Sequence, residues 1–196
     1  MTPGATGQAQ DYTDDEQAAL AVNLYRLSEQ IHKGELIGRP STLDLLRWMH
    51  EQLFTGVRDH AGRIRQSGFG SPVLTFGPHR SPENSEVPDL LLDVFHEFQK
   101  ALASFDADPN APNYEHAGMQ LATWVHARVI GIHPFEDGNG RTSRALLNWT
   151  LVRLGLRPIA FDAVRQDYLT CLNHYFVVHD IQPLVDLCIR LIPDGG

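Results

Sequence analysis

The stretch IHPFEDGNGRTSR, residues 132–144, decides how this chain of 196 residues is interpreted. Apolar segments with helical spacing flank it, and they predict helices at 114–130 and 141–154. The second helix is apolar on most sides, which is typical of a central, buried helix. A polar loop with two glycines is therefore held between two rigid helices, and loops placed in this way often carry function.

Helical patterning recurs on both sides of this central pair. Thr13 with Glu16 three positions later is a capping-box signature, and it predicts a first helix that ends near Gly34. Further helices are predicted from Thr42, from Pro88, over 162–176 and over 181–192, with a linker at 106–112. The sequence therefore predicts an all-α fold.

One segment departs from the helical pattern. Residues 61–88 are rich in glycine and proline, which excludes a long helix. Within them the short run Val73-Leu74-Thr75-Phe76 has β propensity and predicts one arm of a small hairpin.

Composition limits the function classes. Residues 1–13 are predicted to form a disordered N-terminal tail, and 14–196 a single domain. The net charge of −8 argues against a nonspecific nucleic-acid binder. No apolar run approaches a membrane span of roughly 20 residues, and no secretory pattern opens the chain. We expect a cytoplasmic protein with no membrane or nucleic-acid partner, in which Cys171 and Cys188 are ordinary buried thiols.

The first half of the loop suggests a general base. Pro134 ends the preceding helix and favours an extended backbone at His133. The imidazole of His133 is then fixed at the helix exit, and a histidine titrates near neutral pH. Phe135 is expected to anchor the loop in the core as a structural residue. Glu136 is expected to face solvent and has no assigned role.

The second half of the loop suggests a phosphate site. The amides of Gly138, Asn139 and Gly140 can converge on an anion at the start of the next helix, where the helix dipole favours phosphate. Arg141 and Arg144 share a face in the first turn of that helix. Their repulsion and their unfavourable position near the dipole cost from a few tenths to about 1 kcal/mol, which a bound polyphosphate would offset.

The neighbouring carboxylate suggests a metal. Asp137 supplies a hard oxygen ligand beside the anion site, and Mg²⁺ commonly bridges phosphates and one carboxylate. Neither a P-loop nor a zinc-site spacing is present in the sequence. The loop thus predicts nucleotide phosphate chemistry rather than acyl transfer. Simpler interpretations stay open: Asp137 as a turn cap, Arg144 in a surface salt bridge, and an inert hairpin at 73–76.

The run 133–144 resembles the active-site motif of the Fic family, HPFx[DE]GNGRxxR, at every specified position. Residues 53–65 resemble the upstream LF…WAGxxR segment of the family, although His60 stands where the family usually has tryptophan. Residues 70–82 occupy the place of the family's β-hairpin flap. Tyr168 and residues 180–184 resemble its C-terminal helices.

The resemblance implies a Fido-type helical bundle that transfers AMP from ATP, with Mg²⁺, to a Tyr, Ser or Thr hydroxyl of a target protein. His133 would deprotonate the hydroxyl, and Asp137 would hold Mg²⁺ on the α- and β-phosphates. The amides of residues 138–140 would form the anion hole. Arg141 would bind the β-phosphate and Arg144 the γ-phosphate. The flap at Val73–Phe76 would pair with an extended target segment by strand addition.

The same loop is compatible with other functions. The loop predicts phosphate binding but does not indicate which nucleobase is bound, so transfer of phosphate, UMP or phosphocholine is an alternative. A non-catalytic nucleotide-binding or toxin–partner module is another. The family's inhibitory pattern [ST]xxxE[GN] is absent from the sequence. We therefore expect a separate, small antitoxin-like inhibitor, an uninhibited enzyme or a degenerate internal version of the inhibitory glutamate. The sequence also allows delivery as a secreted effector.

Overall fold

Seven α-helices and two short strands make up the regular structure in the residues that the computed structural model describes, 12–108, 111–161 and 164–192. This confirms the predicted all-α class with a minor β element. In chain order they are α1 (Asp14–His32), α2 (Leu43–Phe54), β1 (Thr75–Phe76), β2 (His79–Arg80), α3 (Val87–Ala107), α4 (Tyr114–Ile132), α5 (Asn139–Arg153), α6 (Arg165–Val178) and α7 (Gln182–Arg190).

Helices α4 and α5 lie at the centre of the bundle. One face of the pair packs with α1, α2 and α3 in a first apolar cluster, and the opposite face packs with α6 and α7 in a second. Trp149 of α5 is 1% exposed and donates from its indole nitrogen to Leu36 O at 2.8 Å. The prediction of a central, buried helix after the loop is therefore confirmed, and the loop between α4 and α5 is held from both sides.

The first helix begins as its capping signature predicts. Glu16 N donates to the Thr13 hydroxyl at 3.2 Å, and Thr13 N donates to the Glu16 carboxylate at 2.8 Å. Residues 1–11 of the predicted disordered tail lie outside the described residues. The tail prediction is wrong for Thr13, which caps α1, and for Tyr12, whose side chain reaches the central loop.

The hairpin is shorter than the predicted strand run. Thr75 pairs with Arg80 and Phe76 with His79 in antiparallel register. Val73 and Leu74 precede the strand, although Leu74 O still accepts from Ser81 N at 2.8 Å. Each strand of the hairpin therefore has two residues, and the hydrogen bond between Leu74 and Ser81 extends the pairing by one step. We call the residues that precede Thr75 and follow Arg80 the base of the hairpin.

Helix ends differ from the predicted bounds by a few residues. Helix α3 continues to Ala107, inside the predicted linker, and α5 begins two residues early, at Asn139. The predicted start of α6 at 162 lies outside the described residues. The longest helix, α3, has 21 residues, but no helix in the described ranges combines the length and the apolar composition that crossing a bilayer requires.

Candidate active site

His133 lies directly after α4 in a left-handed conformation, with φ 56° and ψ 62°. The expected extended backbone before Pro134 is therefore wrong. Two hydrogen bonds explain the difference: His133 N donates to Val129 O at 3.1 Å, and His133 O accepts from Arg65 Nε at 2.8 Å. A non-glycine residue in this region costs about 1 kcal/mol or more, so neighbouring groups must hold it there.

Phe135 anchors the loop in the core, as predicted. Its side chain is 0% exposed, and the His50 ring stacks on it with 3.8 Å between centroids. The Asn139 side chain accepts from Phe135 N and donates to Phe135 O, both at 2.8 Å. The asparagine side chain therefore closes the turn around Phe135 and is buried with it.

Gly138 begins α5 at φ 75°, and no larger residue fits there. A Cβ atom at this position would lie 2.1 and 2.2 Å from atoms of the Phe54 ring. We expect Gly138→Ala to destabilise the fold by about 2–4 kcal/mol, from left-handed strain together with overpacking. Denaturant unfolding measures this.

Gly155→Ala is the matched control for that change. Gly155 has a φ of 72°, and nothing lies within 4 Å of a Cβ built there. It should therefore show the backbone cost alone, about 1 kcal/mol. Equal losses in the two variants would contradict the contact with Phe54.

The electrostatic surroundings of His133 favour its neutral form. Burial, and then the nearby Arg65 guanidinium, lower the pKa of His133 to about 4. The expected titration near neutrality is therefore wrong, because a buried cation beside an arginine is disfavoured. A neutral imidazole at pH 7 keeps a lone pair that can accept a proton.

Asp137 lies at the start of α5 with both carboxylate oxygens engaged. Gly138 N donates to Oδ1 at 2.6 Å, so this amide serves the carboxylate rather than the predicted anion site. The first intrahelical bond of the turn runs from Thr142 N to Gly138 O. The N–H groups of Asn139 and Gly140 precede it and lack helical acceptors, as at any helix N-terminus.

Tyr12 binds the other oxygen of the Asp137 carboxylate. The sequence did not predict this contact. The Tyr12 hydroxyl donates to Asp137 Oδ2 and accepts from Arg141 Nη1 at 3.2 Å. The Arg58 guanidinium lies 4.3 Å from the Tyr12 ring centroid and pairs with Glu16 at 2.5 Å. The cation–π contact with Arg58 therefore helps to fix the position of the Tyr12 ring. Burial raises the pKa of Tyr12, which keeps the phenol a donor.

A cleft of about 460 Å³ opens beside these groups. One wall carries Asp137, Gly138, Gly140, Arg141 and Arg144, which the sequence predicted as phosphate and metal ligands. The other residues that line the cleft are Phe76, Ile130, Phe161, Arg165, Tyr168, Leu169 and Leu172. We call the part lined by the first set of residues the charged end of the cleft; apart from Arg165, the remaining lining is apolar or aromatic.

Arg144 is held from the aromatic side. Its guanidinium carbon lies 5.8 Å from the Tyr168 ring centroid. The Tyr168 hydroxyl lies 3.0 Å from His126 Nε2. His126 is completely buried and has its pKa lowered to about 4, mainly by burial. His126 is therefore a buried structural residue that is hydrogen-bonded to Tyr168.

Glu136 does not face solvent, contrary to the prediction. Its side chain is half-buried and accepts from Ser71 N and from Ser71 Oγ, the latter at 2.9 Å. The loop therefore carries a direct connection to the base of the hairpin, which the spacing of the motif does not reveal.

The hairpin covers the histidine. The Phe76 ring stacks on the His133 ring with 4.3 Å between centroids. His79 Nε2 lies 2.8 Å from Gly131 O, and its ring stacks on Phe176 at 4.2 Å. Of the predicted flap residues, Phe76 meets the site directly, and Val73, Leu74 and Thr75 lie along the arm beside it.

Comparisons with known proteins place these features in a family. The model of the Fic/DOC family matches residues 40–151, more than half of the chain. The protein adenylyltransferase Fic of Culex quinquefasciatus is 30% identical over 133 residues, 66% of this chain and 24% of that protein. A uridine 5'-monophosphate transferase of Xanthomonas campestris pv. campestris (strain 8004) is 30% identical over 126 residues, 62% of this chain and 23% of that protein.

This chain therefore spans about a quarter of the length of these two relatives. Among solved structures, the N-terminal FIC domain of the Bep8 protein from Bartonella sp. 1-1C has a TM-score of 0.73 at 15% identity. The superposition covers 95% of this chain and 88% of that one, and it concerns the fold alone. On the family match and the loop that it contains, this chain belongs to the Fic/DOC family.

Proposed function

We propose that this chain transfers AMP from Mg²⁺-bound ATP to a Tyr, Ser or Thr hydroxyl of a target protein. The observation that carries the proposal is the charged end of the cleft, where Asp137, a helix N-terminus, Arg141 and Arg144 meet. His133 lies at the same loop, beneath the hairpin. A neutral base next to an anion site is the arrangement that phosphoryl and nucleotidyl transfer require.

The proposed step is an in-line displacement at the α-phosphorus. The target hydroxyl oxygen bonds to phosphorus, its proton passes to the His133 imidazole, and the bond to the β-phosphate oxygen breaks. Pyrophosphate leaves, with its charge stabilised by Arg141 and Arg144. The amides of Asn139 and Gly140 donate to the phosphates at the start of α5.

The residues present fit a magnesium ion. Asp137 offers one carboxylate oxygen at the charged end of the cleft, and no cluster of three ligand side chains occurs among the described residues. One carboxylate with phosphates and waters is a usual magnesium environment. The ion would offset phosphate charge. On this assignment Asp137 orients the nucleotide.

Tyr12 must leave Asp137 before that oxygen can bind a metal. Tyr12→Phe removes the competing hydrogen bond, so we expect the dissociation constant for Mg²⁺ with a nonhydrolysable ATP analogue to fall about 3- to 10-fold. Calorimetry measures it. Tyr25→Phe is the control, because Tyr25 lies on α1 and is 66% exposed. Unchanged or weaker binding by Tyr12→Phe would contradict the competition.

The hairpin and a second groove supply surfaces for proteins. We assign Val73–Phe76 to an extended target segment, by strand addition. The groove, of about 460 Å³, runs between α1 and α5 and reaches Arg141 and Arg144. A small antitoxin-like inhibitor that presents a carboxylate would complement this positive end.

A second candidate is UMP transfer, which the resemblance to a uridine 5'-monophosphate transferase favours. The test incubates the chain and Mg²⁺ with a cell lysate and ATP labelled at the α- or γ-phosphate, or UTP labelled at the α-phosphate. AMP transfer places the α-label of ATP on protein and leaves its γ-label in pyrophosphate. Protein labelling from UTP alone, or from γ-labelled ATP, would replace AMP transfer by UMP or phosphate transfer.

A further inference from the structure

Arg65 is an arginine buried between the catalytic loop and the hairpin. It is 0% exposed, and its Nε donates to His133 O at 2.8 Å. Its Nη2 donates to Ile132 O at 3.1 Å, and its backbone N donates to Pro134 O at 2.7 Å. One residue therefore binds the carbonyls of three consecutive residues, the last of α4 and the first two of the loop, including the strained His133.

The other end of the same guanidinium binds the base of the hairpin. Nη1 donates to Ser71 O at 2.8 Å, and Nη2 donates to Ser81 Oγ at 3.1 Å. Ser81 Oγ in turn accepts from Leu74 N at 2.9 Å. Since residues 71–74 and 81 belong to the two arms, Arg65 connects both arms to the loop.

The charge of Arg65 is costly where it lies. The side-chain hydrogen bonds of Arg65 run to neutral oxygens, and burial lowers its pKa. A buried charge is weak evidence for a stabilising role, because apolar side chains of similar volume often serve stability as well. What an apolar side chain cannot do is bind the His133 carbonyl and the hairpin at once.

We propose that Arg65 is a positioning residue of the transfer reaction: it holds His133 in its left-handed conformation and couples that geometry to the hairpin. The inference rests on the proposed function. When a target segment docks on Val73–Phe76, the hairpin moves Ser81 and Arg65, and Arg65 then moves His133. His133 is the residue that accepts the proton of the target hydroxyl. Glu136, bonded to Ser71, forms a second connection beside it.

Arg65→Lys is the decisive variant. Lysine keeps the buried positive charge, but its single ammonium cannot lie at both ends of the guanidinium fork. We expect the rate of AMP transfer from α-labelled ATP to fall about 100-fold, as a misplaced catalytic group does. The dissociation constant for Mg²⁺ with the ATP analogue should change less than about threefold, because Arg65 does not line the cleft.

Arg63→Lys is the matched control, two residues away. Arg63 is exposed and stacks on Phe69 at 3.6 Å, so the same change there should leave the rate unaltered. A transfer rate in Arg65→Lys within threefold of the wild type overturns the proposal. A loss of nucleotide affinity as large as the loss of rate also overturns the proposal. Arg65 would then be needed for the structure of the nucleotide site as well as for the position of His133.

Ser81→Ala decides the question if Arg65→Lys does not fold. It removes one acceptor of Arg65 in the hairpin and leaves the loop carbonyls bound. We expect a smaller loss of rate, about tenfold, again without a change in nucleotide affinity. A wild-type rate in Ser81→Ala overturns the coupling to the hairpin.

Two further readouts separate this inference from the proposed function. In Arg65→Lys, the amides of Leu74 and Ser81 should exchange with deuterium about tenfold faster, and the His133 ring signals should shift. These changes do not depend on turnover. If the wild type transfers nothing while the exchange and the ring signals respond, the proposed function fails and the coupling stands; unchanged exchange and signals overturn the coupling.

Discussion

Replacing His133 by alanine is expected to lower the rate of AMP transfer by about 100- to 10,000-fold, the usual contribution of a general base. The imidazole stacks under Phe76, and burial together with Arg65 lowers its pKa to about 4, so it is neutral at pH 7 and keeps a lone pair for the hydroxyl proton. Alanine has no atom to do this. Transfer from α-labelled ATP to protein measures the rate.

Nucleotide binding should survive the same change. His133 does not line the cleft that holds Asp137 and the two arginines, so the dissociation constant for Mg²⁺ with the ATP analogue should stay within about threefold. His96→Ala, at an exposed histidine of α3, is the control and should transfer at the wild-type rate. A His133→Ala protein that labels as well as the wild type would remove His133 from the mechanism.

The parts of this structure that sequence predicts well are those decided by short-range patterns. Helix α1 begins at its capping box because Thr13 and Glu16 satisfy each other three residues apart. Helix α5 is central because its apolar side chains pack into both apolar clusters. The charged end of the cleft was predictable for a similar reason: Asp137, Arg141 and Arg144 all lie within eight residues, at the start of α5 and on its first two turns.

The parts that sequence reasoning missed join residues far apart in the chain. Tyr12 reaches Asp137 across 125 positions, Arg65 reaches His133 across 68, and Glu136 reaches Ser71 across 65. No local spacing encodes such contacts. They also explain the wrong backbone prediction at His133, since the preference of a residue before proline is a local one, and the Arg65 hydrogen bond outweighs it.

His50 is a polar residue that the apolar pattern of its helix did not reveal. It lies on the buried face of α2, 0% exposed, with its ring stacked between Phe54 and Phe135. Gly62 N donates to its Nδ1 at 2.8 Å, and its Nε2 lies 3.1 Å from Asp137 O. The neutral tautomer with hydrogen on Nε2 satisfies both bonds. Protonation of Nδ1 would break the bond to Gly62.

Three histidines should therefore make stability depend strongly on pH. Burial lowers the pKa of His50, of His126 and of His133 to about 4, against an ordinary value of about 6.5 in the unfolded chain. Below pH 6.5 the unfolded state binds protons that the folded state does not. The free energy of unfolding is then highest above pH 6.5 and falls as the pH drops towards 4. Each histidine lowers it by about 1.4 kcal/mol per pH unit in that range.

Denaturant unfolding between pH 7.5 and 4.5 measures this slope. His50→Gln is the informative variant, because glutamine does not titrate and keeps both a donor and an acceptor for Asp137 O and Gly62 N. It should reduce the slope by about a third, because His126 and His133 still contribute. His96→Ala, at an exposed histidine of α3, is the control and should leave the slope unchanged. A free energy of unfolding that stays flat from pH 7 to pH 5 would mean that the three histidines accept protons in the folded protein. The neutral His50 that connects α2 to Asp137 would then be the wrong description.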